Sequence, residues 1–246
     1  MSLFVLVHGA NHDGDLLSPV VRSLEAEGHE AHAPTLAGHG KEAPRNITHH
    51  DCVRSLVEYV VSRDLRDVVL VGHSFAGSVI SRAAPLIAQR LRRLVFWNAF
   101  VLNDGESVLD AVPPQQRAAF EALAAQSVDN TIMLPFPVWR EAFINDADLA
   151  TARATYELLS PEPCGVVAEK LDMKPFYALI RNGRLPCSFI NCTEDICMSY
   201  GPEWGWHPRM TSRLGLCRLV QMPGSHEVLF TNPDGLARSI VLAGRD

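Results

Sequence analysis

Apolar runs and helix-spaced apolar positions alternate over the first hundred residues. Uninterrupted apolar runs occur at 3–7, 68–71 and 94–97, which is typical of parallel strands covered on both faces. A shorter strand is predicted at 30–33. Helical spacing is found at two sets of positions: Leu16, Leu17, Val20, Val21 and Leu24 ahead of Gly28, and Val53, Leu56, Val57, Val60 and Val61 behind the capping residue Thr48. This alternation with short connections predicts a parallel sheet with helices on both faces.

The pattern changes between Leu102 and Leu185, where no strand is predicted. Helical stretches at 115–125 and 147–159 alternate there with proline-rich segments. The earlier pattern then resumes with a strand at 186–192, a strand at 217–222, and a last helix from Pro233 to Leu242 behind the cap Asn232.

The predicted fold class is therefore α/β, a mostly parallel six-stranded sheet with helices on both faces. Residues 1–101 and 186–246 are expected to form this core, and residues 102–185 an inserted helical cap.

Composition and charge narrow the range of partners. With 246 residues, 47% of them hydrophobic and 20% charged, the chain is large enough for a sizeable core. Its net charge of −6 argues against nucleic acid and anionic membrane surfaces as partners. No apolar run approaches the roughly 20 residues of a membrane-spanning helix. The run at 3–7 is short and has no basic residue before it, so a cytoplasmic location is predicted.

The segment Gly72-His73-Ser74-Phe75-Ala76-Gly77 lies between an apolar run and a helix-like stretch. Small residues around a serine at a strand-to-helix turn predict a sharp bend that exposes the hydroxyl, the arrangement of a nucleophile elbow. The usual pattern is Gly-x-Ser-x-Gly, and here Ala76 takes the second glycine position while Gly77 follows one residue later. Alanine is the next smallest residue, so we interpret the change as tolerated. Ser74 is the predicted nucleophile.

A serine nucleophile needs a base, and the base needs an orienting carboxylate. His226 follows the last predicted strand and precedes the last helix, which places it at the same edge of the sheet as the serine. His226 is the predicted base. Asp195, just past the preceding strand, is the favoured carboxylate. The alternatives are its neighbour Glu194, and Asp104 and Glu106 after the fourth strand.

Two backbone N–H groups are predicted to hold an oxyanion. One belongs to Phe75 at the start of a helix, and the other to Ala10 in the loop His8-Gly9-Ala10 after the first strand. His8 is interpreted as bracing that loop. No phosphate loop or dinucleotide fingerprint occurs, so no cofactor is predicted, and the spacing of histidines and cysteines predicts no metal.

Across nearly its whole length the chain resembles the α/β-hydrolase superfamily, and within it the compact methylesterase and hydroxynitrile-lyase group. The segments that carry the resemblance are 4–10 with His12 and Gly14, Gly72-His73-Ser74, Cys192-Thr193-Glu194-Asp195, and Gly224-Ser225-His226. The acid of that group is the aspartate of the Cys-Thr-Glu-Asp segment, so the resemblance supports Asp195.

The chain departs from the group at positions that line or border the pocket in the family. Asn11 stands where the group usually has tryptophan, Asp13 where it has glycine, and Asp15-Leu16-Leu17 replaces Trp-Cys-Trp. The resemblance therefore leaves the substrate open. Glu227 stands where hydroxynitrile lyases carry a lysine after the histidine, which argues against lyase activity.

These observations predict a cofactor-free serine hydrolase that acts on a small apolar carboxylic ester, and the resemblance adds methyl carbamates and lactones as possible substrates. The alternatives are a lactonase on the same triad, a cofactor-independent dioxygenase or lyase that uses the His–Asp pair, and a non-enzymatic binding protein of the same fold. Substrate contacts are predicted for Asn11, Trp139, Phe143 and Phe176. The aromatic stretch 204–206 is interpreted as packing, with a wall on the leaving-group side of the pocket as the alternative. The predicted partner is a small-molecule substrate. The oligomeric state stays open, a homodimer included.

Overall fold

The strands follow the predicted apolar runs closely. In the computed structural model, which describes residues 1–181, 183–198 and 203–245, they are β1 (Leu3–Val7), β2 (Glu30–His32), β3 (Val68–His73), β4 (Leu91–Trp97), β5 (Thr131–Ile132), β6 (Glu162–Pro163), β7 (Cys187–Cys192) and β8 (Cys217–Met222). Six of them form one parallel sheet in the order β2-β1-β3-β4-β7-β8, while β5 and β6 pair antiparallel outside it. The predicted fold class is confirmed.

The helices connect these strands. They are α1 (Ser18–Ala26), α2 (His49–Ser62), α3 (Ala76–Ala83), α4 (Pro114–Gln126), α5 (Phe136–Val138), α6 (Leu149–Tyr156), α7 (Cys164–Ala168), α8 (Lys174–Arg181), α9 (Arg209–Leu214), α10 (Val228–Thr231) and α11 (Pro233–Ala243). Thr48 and Asp51 form a reciprocal capping box at the start of α2. Asn232 caps α11 by accepting the N–H of Gly235. Both predicted caps are confirmed.

Apolar side chains cover both faces of the sheet. Along β3 they alternate, so that Val69 and Val71 pack in the cluster that contains α1 and α11, whereas Val68 and Leu70 pack in the cluster that contains α2 and α3. This two-sided burial is the reason that the parallel strands read as continuous apolar runs.

The segment between β4 and β7 carries α4 to α8 together with β5 and β6. No strand was expected here, and the two that form pair only two residues each, too few to produce an alternating pattern. Trp139 and Ile144 centre a small apolar cluster of this segment. None of the helices in the described ranges combines the length and the apolar content that spanning a membrane requires.

Candidate active site

The turn between β3 and α3 holds Ser74 in the left-handed region, with φ +55°. Backbone crowding explains the shifted glycine of this turn. A Cβ on Gly77 would lie 2.4 Å from the carbonyl oxygen of Phe100, so this is a position that requires glycine. Ala76 is fully buried without such a conflict. Gly77 is therefore the position of this turn that must be glycine, because the backbone of Phe100 lies directly against it.

Three side chains from three loops meet beside this turn. The Ser74 Oγ lies 3.0 Å from Nε2 of His226, and Nδ1 of His226 lies 2.6 Å from Oδ2 of Asp195. Ser74 follows β3, Asp195 follows β7 and His226 follows β8, so all three lie at the carboxyl edge of the sheet. The hydrogen-bonded order serine, histidine, aspartate is that of an activated nucleophile.

The Asp195 carboxylate is buried and held from two further directions. Its Oδ1 accepts the N–H of Cys197 at 3.0 Å, and its Oδ2 accepts the side-chain amide of Asn98. The Asn98 Oδ1 in turn accepts the N–H of Cys192 at 2.8 Å. Sequence reasoning missed Asn98, although a polar residue directly after β4 is a signal that could have found it.

The pair of Asp195 and His226 favours the charged form of both groups. Burial raises the pKa of Asp195, but the charge of His226 and three hydrogen bonds outweigh it and leave the pKa below its usual range. Burial likewise lowers the pKa of His226, but the charge and hydrogen bond of Asp195, together with the charge of Glu227, outweigh it and raise this pKa above 6.5. The imidazolium is therefore stabilised where a general base must hold a proton.

The alternative carboxylates lie elsewhere. Asp104 accepts the N–H of Met173 at 3.0 Å, and Glu106 pairs with Arg213 at 2.8 Å. Glu194 is exposed. The structure brings Asp195, and none of these three, to His226.

Aromatic rings enclose the imidazole of His226. The Trp206 ring stacks on it with centroids 5.5 Å apart and planes at 10°, and the Phe143 ring meets it edge-on at 5.5 Å. Trp206 packs against Phe100 and also lines the cavity above Ser74, so both interpretations of the stretch 204–206 apply to this residue. Trp204 instead lies under the guanidinium of Arg209.

The predicted oxyanion donors face the same space. Ala10 and Phe75 both line the cavity beside Ser74, and within the described part of the chain neither N–H donates to a protein acceptor. His8 accepts the N–H of Leu36 at 3.1 Å and donates through Nδ1 to the carbonyl of Gly9. This bonding fixes the loop that presents Ala10.

The cavity above Ser74, counted together with its opening to solvent, has a volume of about 700 Å³ and mostly apolar walls. Asn11, Trp139 and Phe143 line it, as predicted for substrate contacts. Phe176 does not: it is buried against Phe96 of β4, with ring centroids 6.2 Å apart. The prediction that Phe176 contacts substrate is corrected on this point, because α8 packs this ring into the core.

Asn11 also binds the segment between β4 and β7. Its side-chain amide donates to the carbonyls of Ile132 at 2.8 Å and Ser160 at 2.9 Å, and its backbone N–H donates to Glu162 at 3.1 Å. Asn11 has φ +64°, a conformation that asparagine tolerates better than most residues. Its donors are thus committed to the protein.

Two buried histidine–carboxylate pairs flank the triad. His39 Nε2 lies 3.0 Å from Glu162, and His12 Nε2 lies 3.0 Å from Glu227. For both histidines burial lowers the pKa, but the facing carboxylate outweighs burial and raises it. Glu162 and Glu227 both line the cavity.

Residues 143–146 join the triad loops from outside the sheet. The Phe143 carbonyl accepts the N–H of Glu227 at 3.2 Å, and Asn145 donates to the carbonyl of Glu194 at 3.1 Å. The Asp146 carboxylate accepts the N–H of Ser225 at 3.1 Å. We call residues 143–146 the brace, because they hold the residues next to both Asp195 and His226.

Two groups of side chains in the described ranges have the composition of metal ligands: His73 with His226 and Glu227, and Asp195 with Cys197 and His226. Both depend on His226, whose ring nitrogens are already engaged by Asp195 and Ser74. Neither group therefore offers three free ligand atoms.

Known proteins are similar to this chain in sequence and fold. Residues 4–239 match the model of the alpha/beta hydrolase family. A solved extracellular alpha/beta-hydrolase from a Paenibacillus species, described as sharing structural and functional homology with tobacco salicylic acid-binding protein 2, is 40% identical over 100% of both chains, with a TM-score of 0.96. The carbendazim hydrolyzing esterase of Nocardioides sp. (strain SG-4G) is 29% identical over 99% of this chain and 100% of its own. Salicylic acid-binding protein 2 of Nicotiana tabacum is 27% identical over 97% of this chain and 95% of its own. Because the Paenibacillus protein is extracellular, the cytoplasmic location stays a prediction.

Proposed function

The chain belongs to the alpha/beta hydrolase family, and we propose that it cleaves small, largely apolar carboxylic esters or methyl carbamates through an acyl-enzyme on Ser74. The observation that carries the proposal is the continuous hydrogen-bonded row from Asp195 through His226 to Ser74 at the base of an apolar cavity. Relatives named as esterases support the reaction class, and the apolar walls support the substrate class.

In the proposed reaction the Ser74 oxygen attacks the carbonyl carbon while its proton passes to Nε2 of His226. The oxyanion receives hydrogen bonds from the N–H groups of Phe75 and Ala10. Collapse of the intermediate breaks the bond to the alcohol, which leaves with the proton from His226. A water molecule then attacks the acyl-enzyme with the same base, which regenerates Ser74 and releases the acid.

Asp195 has two roles in this scheme. Its Oδ2 fixes the proton of His226 on Nδ1, so that Nε2 faces the serine, and its charge stabilises the imidazolium. Stacking of Trp206 on the imidazole limits rotation of the ring and keeps bulk water from one face.

The test is hydrolysis of a panel of short p-nitrophenyl esters, methyl esters, lactones and an aryl methyl carbamate by the wild type and Ser74→Ala. We expect the substitution to lower kcat by about 10³-fold or more. Ser81→Ala is the matched control, because the buried Ser81 hydroxyl donates to the carbonyl of Gly77 on the preceding helix turn. Retained activity in Ser74→Ala contradicts the proposal. The panel also separates an esterase from the lactonase alternative, and folded wild-type protein that turns over nothing favours the dioxygenase or lyase alternative.

A further inference from the structure

Two buried carboxylates line the cavity above Ser74. Glu162 and Glu227 each have 2% of their surface exposed. A carboxylate away from water is costly unless hydrogen bonds or an opposite charge compensate it. Both face a buried histidine, yet they differ in how completely their oxygens are satisfied.

Both oxygens of Glu162 lie within hydrogen-bond distance of protein groups. His39 Nε2 lies 3.2 Å from Oε1 and 3.0 Å from Oε2, and Oε2 also accepts the N–H of Asn11. This carboxylate holds two loops together, and both of its oxygens have a protein partner.

Glu227 is different. Its Oε2 lies at ion-pair distance from Nε2 of His12, 3.0 Å, and neither of these two atoms has an aligned hydrogen-bond partner among the described residues. The charge of Glu227 is thus compensated while its acceptor capacity is unused. An unused acceptor in a buried cavity favours a donor supplied by the ligand.

The position of Glu227 places such a donor beside the reaction. A carboxylate oxygen of Glu227 and ring nitrogens of His73 and His226 all lie within 4.8 Å of one another. His226 uses its nitrogens for Asp195 and Ser74, and His73 uses Nε2 for the carbonyl of His226. Neither ring donates to Glu227, and beyond the ion pair with His12 a substrate bound in the cavity can supply a donor.

We propose that Glu227 determines specificity by accepting a hydrogen bond from an N–H or O–H donor that the substrate carries next to its scissile carbonyl. This inference rests on the proposed function and deepens it, because it selects N–H carbamates over simple esters. A carbamate of the form R–NH–CO–OCH₃ carries its donor one bond from the carbonyl carbon, whereas the matching ester has a methylene group there. The negative charge of Glu227 also disfavours substrates that carry a negative charge of their own.

The size of the preference follows from the pairing. A buried acceptor left without its donor loses a charge-assisted hydrogen bond, so a site of this kind discriminates against an analogue that lacks the donor by roughly 10- to 100-fold.

The experiment compares three substrates of nearly equal shape: methyl phenylcarbamate, its N-methyl derivative, and methyl phenylacetate. The measured quantity is the ratio of kcat/KM for the N–H carbamate to that for each analogue, in the wild type, Glu227→Leu and Glu227→Gln. Dividing the variant's ratio by the wild-type ratio cancels the different intrinsic reactivities of carbamate and ester. We expect this ratio to fall roughly 10-fold or more in Glu227→Leu. In Glu227→Gln we expect a several-fold fall, because the neutral amide oxygen still accepts a hydrogen bond.

Glu162→Gln is the matched control, because it neutralises the other buried carboxylate of the same cavity. We expect it to change activity on all three substrates alike and to leave the ratio at the wild-type value. Glu227→Leu leaves no buried charge without a partner, since His12 becomes neutral and still donates from Nδ1 to the carbonyl of Ala10. Should the leucine variant fail to fold, the glutamine variant decides.

A wild-type ratio in the folded Glu227 variants, with turnover still dependent on Ser74, overturns the inference and leaves the proposed function intact. If the wild type turns over none of the three, the proposed function fails for this class, and binding decides the inference. Calorimetry on Ser74→Ala then compares the Kd of carbamate and ester with and without Glu227→Leu. Loss of a carbamate preference supports the inference, and equal affinities overturn it.

Discussion

Asn11 offers a direct test of how the oxyanion loop is held. Its amide donates to the carbonyls of Ile132 and Ser160, and the N–H of Ser160 returns a bond to the Asn11 carbonyl at 2.9 Å. Ala10, whose N–H is proposed to stabilise the oxyanion, directly precedes it. Replacing Asn11 by alanine removes the two side-chain bonds and leaves both carbonyls without this donor.

The magnitude follows from these contacts. Each buried hydrogen bond contributes about 1 kcal/mol net, and the unpaired carbonyls and the left-handed backbone add to the loss. We predict that Asn11→Ala lowers the free energy of unfolding by about 2–4 kcal/mol. Complete loss of one oxyanion donor costs about 10²- to 10³-fold in kcat. A loosened loop should therefore lower kcat by about 10- to 100-fold and change KM much less.

The assay is steady-state hydrolysis of a p-nitrophenyl ester at a temperature where the variants are folded, with urea unfolding in the same buffer. Asn11→Gly accepts the positive φ but lacks the amide, so it should not restore kcat if the bonds are what matters. Asn103→Ala, at an exposed asparagine that bonds Glu106, controls for the substitution itself. An Asn11→Ala variant that is less stable yet keeps the wild-type kcat refutes the reasoning.

Three further predictions concern the triad and a flanking pair. Asp195 raises the pKa of His226 above 6.5 against the effect of burial, so kcat/KM of the wild type should rise with pH along a limb centred above pH 6.5. The variant Asp195→Asn should lower kcat by about 10⁴-fold and move this limb to lower pH. Asn98→Ala removes one charge-assisted bond to Asp195 and should lower kcat/KM by about 10-fold or more, measured with the same ester. The pKa of His39 is raised in the folded state, so its pairing with Glu162 contributes its full stability below pH 6.5. This contribution is lost as pH rises through the pKa of the folded state. In urea unfolding, Glu162→Gln should therefore lose less stability than the wild type between neutral and alkaline pH.

Each of these three predictions has an outcome that would contradict it. If the limb of kcat/KM against pH does not move in Asp195→Asn, Asp195 does not set the pKa of His226. Wild-type kcat/KM in Asn98→Ala makes that amide dispensable. An unchanged pH dependence of unfolding in Glu162→Gln assigns the dependence to another group.

Sequence reasoning located Ser74, Asp195 and His226 because each follows a strand of a parallel sheet, and the carboxyl ends of such strands share one edge. Local pattern therefore carried three-dimensional information at these positions. Phe176 shows the opposite case: an aromatic residue on a short helix has no sequence feature that separates a cavity wall from a core contact. For the same reason the sequence left both packing and a cavity wall open for Trp206.

The partners that were missed are distant in sequence. Asn11 and Glu162 are 151 residues apart, and Asn98 and Asp195 are 97 apart. Such pairs depend on the path of the segment between β4 and β7, and this path leaves no periodic signature in the chain. Glu227 was recognisable as a departure, but its burial against His12 was not.

The brace has a consequence for protein engineering. Because residues 143–146 bond the chain beside both Asp195 and His226, the segment between β4 and β7 is not an interchangeable module. A chimera that exchanges residues 102–185 for those of a relative would remove the hydrogen bonds that hold the chain next to Asp195 and His226, together with the cavity walls of this segment. Recombination of substrate range within this family should therefore place its crossover points on either side of 143–146 and leave those four residues with the recipient.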